Sequence, residues 1–374
     1  MSNPIVMHDE VPVETTSVDL TTGPEETTPD ATIDDEEENI EDNKPPNYKR
    51  ISDDDLYRHS SQYRFWSFSK ERLREKRVNT NKIAADTIYK NILDFKNQQD
   101  LTQEQLDVLD ARTQPLSVDD ELKLINFYAK KVQVISQHLN LPTEIIATSI
   151  SFFKKFFLEN SVMQYDPKSL VHTTIFLACK AENYFISVDS FAKKAKPNRE
   201  AILKYEFKLL ESLKFSLLIH HPYKPLHGFF LDIQNVLHGK VDLNYMGQTY
   251  DKCKKKITEA ILTDVVYLFT PPQITLAILM IEDEALITKY LELKFSVNSE
   301  KKNNDTISFS TLLTIINDCK SFIQEEKSVS TDDARKIAAQ NFFCQNPMDL
   351  IQRMKRKQPE EETTASPEKK PRVA

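Results

Sequence analysis

The stretch Leu170-Val-His-Thr-Thr-Ile-Phe-Leu-Ala-Cys179 is apolar or small almost all the way round a helix. A helix with that profile has no face to offer to water and belongs at the centre of a helical bundle. Asp166-Pro167 stands just ahead of it. An acidic cap followed by a first-turn proline is a strong start signal. Working outward, Ser117 with Asp120 three residues on opens a helix whose stripe includes Leu124, Phe127, Val132, Ile135 and Leu139. The periodicity is that of an amphipathic helix, and the opening is a capping box with Asp in place of Glu. Pro142 opens the next helix, carrying Ile145, Ile146, Phe152, Phe153, Phe156 and Phe157. Ser187 and Asn198 cap two more, 188–194 and 200–213. Five helices over about 100 residues predict one α domain.

The pattern then recurs. Residues 249–269, the Pro-opened run Pro271-Pro-Gln-Ile-Thr-Leu-Ala-Ile-Leu-Met280, 287–293 and 310–323 read as a second helical set. Long helices leading into Pro142 and Pro271 give a weak internal repeat of roughly 130 residues. Two prolines and three of the four glycines fall between 222 and 247, which predicts an inter-domain connection there. The expected organisation is an acidic disordered tail (1–47), an aromatic and helical segment (48–114), a first unit (115–218), a linker (219–246), a second unit (247–330), a terminal helix (331–345) and a basic disordered tail (346–374).

Composition excludes several functions. The chain of 374 residues has 4 glycines, against roughly 26 expected at ~7%. Glycine-rich phosphate cradles therefore cannot be built, and P-loop, Rossmann and kinase folds are excluded. Hairpin-rich β folds are disfavoured for the same reason. The 4 cysteines form no C-x-x-C pair, so zinc and dithiol chemistry lack a motif, and with no signal-peptide pattern a reducing compartment is expected. No run of 18 apolar residues predicts a membrane span. His220, His221 and His227 lie close in sequence without a matching carboxylate or thiol spacing, so no metal or other cofactor is expected. The net charge of −8 is dominated by residues 1–47, which hold 14 acids and one lysine. The body, 48–352, is near neutral, which argues against a nonspecific nucleic-acid binder.

Two features ask for a partner. Lys180 closes the apolar helix and Glu206 interrupts the apolar run Tyr205-Glu-Phe-Lys-Leu-Leu210. Periodicity alone leaves them two surface charges. The aromatics Tyr63, Phe65, Trp66 and Phe68 are too apolar for water and are expected either in the core or at an interface. Arg353, Lys355, Arg356 and Lys357, with Lys369, Lys370 and Arg372, form a two-part nuclear-import pattern.

Phe176-Leu-Ala-Cys-Lys180-Ala-Glu182, with Tyr205-Glu206-x-x-Leu-Leu-x-x-Leu-x-Phe215, resembles the core of a cyclin box. Within the cyclins the likeness is to the cyclin H branch. It is carried further by Ser60-Ser-Gln-Tyr-Arg-Phe-Trp-Ser-Phe-Ser69, Phe152-Phe-Lys-Lys-Phe-Phe157, Asn160-Ser-Val-Met163, His221-Pro-Tyr-Lys-Pro225 and Thr263-Asp-Val-Val-Tyr-Leu-Phe-Thr-Pro271. The resemblance implies an all-α fold of two tandem five-helix cyclin boxes with flanking helices and disordered tails. It implies a noncatalytic nuclear subunit that binds and activates the cyclin-dependent kinase of TFIIH, supporting phosphorylation of the RNA polymerase II C-terminal domain. A RING-finger assembly subunit and the wider TFIIH complex would be partners, with no direct nucleic acid and no membrane. By the same resemblance Lys180 and Glu206 hold kinase backbone groups, and Leu177, Leu210 and Phe215 supply apolar interface. Asn183 and Ala181 depart from the cell-cycle pattern, where Glu and Phe are common, and imply a shallower interface. The substrate-docking patch of cell-cycle cyclins is absent from 121–128, and no Arg-x-x-Leu occurs. A cyclin-fold promoter factor similar to TFIIB, which would bind DNA, is the alternative.

Overall fold

The computed structural model describes residues 56–298, 308–325 and 329–357. Every regular element among them is a helix, and none is long and apolar enough to cross a membrane. The expectations for 1–47 and 358–374 lie outside the described residues.

The N-terminal segment forms α1 (Leu56–His59), α2 (Ser61–Trp66), α3 (Lys70–Gln98) and α4 (Gln103–Arg112). Ser60, Ser69 and Thr102 cap the last three through their hydroxyls. The first unit follows as α5 (Val118–His138), α6 (Thr143–Glu159), α7 (Pro167–Ala181), α8 (Val188–Ala195), α9 (Arg199–Leu203) and α10 (Glu206–Ser212). Ser117 accepts from the Asp120 N–H at 3.1 Å, as its spacing predicts. The expected helix 200–213 is broken at Lys204–Tyr205 into α9 and α10.

Helix α7 is the axis of the unit. Leu170, Val171 and all residues from Thr173 to Cys179 are buried, and it packs against α5, α6, α9 and α10. Its polar side chains are satisfied internally: Thr173 donates to the Ile202 carbonyl at 2.7 Å and Thr174 to that of Val171 at 2.9 Å. That removes the desolvation cost of burying them.

The second unit comprises α11 (Tyr223–Val236), α12 (Leu243–Ala260), α13 (Val265–Leu268), α14 (Pro271–Glu282), α15 (Glu284–Asn298) and α16 (Phe309–Glu325). Helix α11 corrects the expected linker at 219–246. Pro222 is its N-cap and Pro225 lies in its first turn, where no backbone N–H is needed. Tyr223, Leu226, Phe230 and Ile233 are buried at helical spacing. Gly239, at φ +70, turns the chain beyond it. The register of the repeat shifts accordingly. Counting α11 as first and leaving aside the four-residue α13, the Pro271 helix α14 is the third long helix of its unit and the counterpart of α7, not of α6. Like α7 it is central, packed against α11, α12, α15 and α16.

Two C-terminal helices, α17 (Thr331–Gln345) and α18 (Pro347–Lys357), complete the fold. Helix α18 corrects the tail boundary at 346. Leu350 and Ile351 are buried with Leu109 and Phe343, and α18 packs on α4 and α17. Arg353 is held with its guanidinium 5.2 Å from the Phe343 ring centre.

One polar cluster fastens the three segments together. Arg77 of α3 grips Asp264 with two hydrogen bonds of 2.7 Å. Buried Lys154 of α6 donates to the carbonyls of Leu262 and Thr263 at 2.5 and 2.6 Å and lies 3.4 Å from the same carboxylate. These carbonyls lie in the break after α12, where the sequence's single helix 249–269 stops at Ala260 and resumes as α13.

Candidate docking face

Helix α7 ends at Ala181, and Lys180 in its last turn projects to the surface. Glu206 is the first residue of α10. The two form an ion pair, with Lys180 about half exposed and Glu206 largely covered. The Lys180 ammonium also sits 4.9 Å from the Phe176 ring centre. The structure therefore brings together the two charges that sequence singled out, prearranged in the free chain.

The apolar surroundings differ in part from the expectation. Leu177 is buried at 3% exposure and belongs to the core, so it offers no free interface. Like every residue from Thr173 to Cys179 it is covered, because the bundle surrounds this stretch of α7 on all sides. Leu210 is half-buried, packed against that core. Phe215 is 64% exposed. The chain leaves α10 through two left-handed residues, Lys214 at φ +55 and Phe215 at φ +52, and the Phe215 N–H donates to the Leu210 carbonyl at 3.0 Å. That turn forces the ring outward. Phe207 is 72% exposed and stands edge-on to Phe215, centroids 6.4 Å apart.

Sequence reasoning missed Phe207, and also Phe185 and Leu218, both largely exposed. Phe185 follows the left-handed Asn183, at φ +55, which closes α7. Asn tolerates that conformation better than Glu does, so the departure noted in the sequence has a backbone cause. A Tyr-Phe pair directly after a helix end was the available signal.

Beside this face a groove of about 560 Å³ runs past Ala181, Glu182, Leu218, His221 and Lys224. The Thr148 hydroxyl donates to Glu182 at 2.6 Å and accepts from His221 Nε2 at 2.7 Å. Burial first, then the charge of Lys155, hold the His221 pKa down to about 3, so its imidazole is neutral. His220 is occupied differently: its backbone N–H and C=O pair with the Gln62 side-chain amide at 2.7 and 3.2 Å.

The aromatic segment divides. Trp66 is 1% exposed and packs with Leu73, Leu158 and Tyr267, with Phe68 against the edge of that cluster. Tyr63 and Phe65 are surface residues. The Lys214 ammonium lies 5.2 Å from the Phe65 ring centre, which sets Phe65 beside the turn that carries Phe215.

Two family models match the chain, the N-terminal cyclin domain over residues 93–218 and the cyclin C-terminal domain over 221–324. Cyclin CCL1 of Saccharomyces cerevisiae is 61% identical, over 88% of this chain and 91% of that protein. This chain belongs to the cyclin family. The second model begins at 221, in agreement with α11 as the opening helix of the second box. The cyclin is also similar to solved structures. A chain in the yeast TFIIK complex (Kin28/Ccl1/Tfb3) is 65% identical, with a TM-score of 0.57, covering 71% of this cyclin and all of that chain. A chain in the CAK complex of Chaetomium thermophilum bound to ATP-gamma-S is 27% identical, with a TM-score of 0.67, covering 86% of this cyclin and all of that chain.

Proposed function

We propose that this cyclin is the noncatalytic regulatory subunit of a cyclin-dependent kinase of the TFIIH type. The likeness to the cyclin of the Kin28/Ccl1/Tfb3 complex supports a kinase subunit and a third, assembly subunit of the RING-finger kind as its partners. The wider TFIIH complex and the nucleus follow from that reading as its setting, with phosphorylation of the RNA polymerase II C-terminal domain as the outcome.

The observation that carries the docking assignment is the prearranged Lys180–Glu206 pair beside exposed Phe207 and Phe215. A fixed polar pair within an apolar patch is how an energetic hot spot is built. The ion pair satisfies each charge in the free chain and can be redirected to a partner's backbone carbonyl and N–H groups. Docking then acts by population shift. Contacts made only with the kinase arrangement in which its catalytic Lys–Glu pair is closed draw the kinase into that arrangement.

Lys180→Ala and Glu206→Ala are expected to leave the free cyclin folded by circular dichroism and to weaken kinase binding. Loss of one charge-assisted set of hydrogen bonds costs about 1.5–3 kcal/mol, roughly 10- to 150-fold in Kd. The double variant is expected to lose less than the sum, because the two act as one unit. Wild-type affinity and activation in the double variant would remove the assignment. Phe215→Ala with Phe207→Ala is the apolar counterpart. It is expected to weaken kinase binding at least tenfold while leaving the melting temperature of the free chain within a degree or two of wild type, since both rings are already in water.

A further inference from the structure

Between α2, α6 and α13 lies a narrow cavity of about 20 Å³, with Trp66, Lys155, His220 and Tyr267 in its wall. That is room for a single small guest, since one water needs about 10–15 Å³. Three buried polar atoms on its lining residues have no hydrogen-bond partner among the described residues: Lys155 Nζ, Trp66 Nε1 and Tyr267 Oη. The first two can only donate, and the third donates readily. Native proteins seldom leave such groups unpaired, so three of them on residues that line one cavity point to a bound guest.

The chemistry of the wall selects what. Two lysines and two histidines line the cavity and, among the described residues, no carboxylate does. The neighbouring Lys154 is already committed to Asp264 and to two carbonyls. Among the described residues Lys155 has no acid in contact, and the Trp66 ring, 5.2 Å from its ammonium, is its electron-rich neighbour. A desolvated ammonium is costly unless a negative charge meets it. Phosphate and carboxylate ligands are too large for the space.

We propose that this cavity is a binding site for one small monovalent anion of the halide class, held by Lys155 Nζ, Trp66 Nε1 and Tyr267 Oη. Burial alone pushes the Lys155 ammonium down to about 7, and a bound anion removes that penalty. The site joins three parts of the chain, since Trp66 comes from the N-terminal segment, Lys155 from the first box and Tyr267 from the second. The anion is thus a fastener for the N-terminal segment on the seam between the boxes, outside the kinase-docking face.

The test compares thermal unfolding of the full chain in sodium chloride and in sodium gluconate at equal ionic strength. Ligand linkage predicts a wild-type melting temperature roughly 2–4 °C higher in chloride, rising with the logarithm of chloride concentration. Lys155→Met is expected to melt at the same temperature in both salts. Crystals of the wild-type protein grown in sodium bromide are expected to give an anomalous peak in the cavity. That measurement decides the matter even where the variant does not fold. Equal wild-type melting in the two salts, or a cavity peak without anomalous signal, identifies the guest as water and overturns the proposal.

Discussion

Replacing Asp264 by alanine is expected to destabilise the protein by about 3–5 kcal/mol, because it removes the carboxylate beside buried Lys154 and the one that both arms of Arg77 grip. Lys154 is 3% exposed and cannot turn to water. It would keep its two carbonyl acceptors but not its anion. Urea unfolding of the full chain reads the effect as a fall in midpoint. Adding Lys154→Met to Asp264→Ala is expected to restore part of the loss, since a methionine has no charge to desolvate. A loss below about 1 kcal/mol for Asp264→Ala would mean that the cluster fastens nothing. The carboxylate also sets a pH dependence. Burial alone would raise its pKa, but Lys154 and Arg77 hold it at about 2. An unfolded aspartate titrates near 3.9. The contribution is therefore complete above about pH 4 and is lost as the pH falls toward 2.

Trp66→Ala carries the second large effect. The indole is 1% exposed, among Leu73, Leu158 and Tyr267, and truncating a buried Trp costs about 3–5 kcal/mol. Differential scanning calorimetry of the free protein is the measurement. Tyr63→Ala and Phe65→Ala, at exposed positions of the same helix, are expected to change stability by less than about 1 kcal/mol. A Trp66→Ala protein that melts like wild type but fails to bind its kinase would move the indole from core to interface.

The central helices were legible because their patterns admit one reading. A run such as 170–179 has no polar face, and only the middle of a bundle accepts it. Helix α11 was hidden by Pro222 and Pro225, which read as breaks but occupy a cap and a first turn. Its four buried residues, 223, 226, 230 and 233, carried the helical period all along. Helix α18 was hidden by charge, because only a few apolar residues in a basic stretch make contact. At the docking face, Lys180 and Glu206 stood out as charges at the edge of apolar runs. Leu177 was placed at the interface by the resemblance, and a helix apolar all round gives no cue of its own to which residues reach the surface. Phe207 and Phe185 were invisible for the complementary reason. Phe185 owes its exposure to the left-handed turn at Asn183, announced only by the Tyr-Phe pair after the helix end, whereas Phe207 stands on the open side of α10 with no signal in its residue type.

The clasp of the N-terminal segment has a consequence for the order of synthesis. Arg77 meets Asp264 187 residues further on, and Trp66 waits for Tyr267. At roughly 5–20 residues per second, a ribosome leaves Arg77 without its carboxylate and the indole without Tyr267 for about 10–40 s. The first box can close during that interval, since the partners of α7 lie within it or just after it. Helix α3 can settle on α5 and α6 in the same interval, but the end that carries Trp66 and Arg77 cannot complete its seat. A nascent cyclin therefore passes through a state in which the box is folded and the leading segment is still a ligand for any apolar surface nearby, including that of a molecular chaperone.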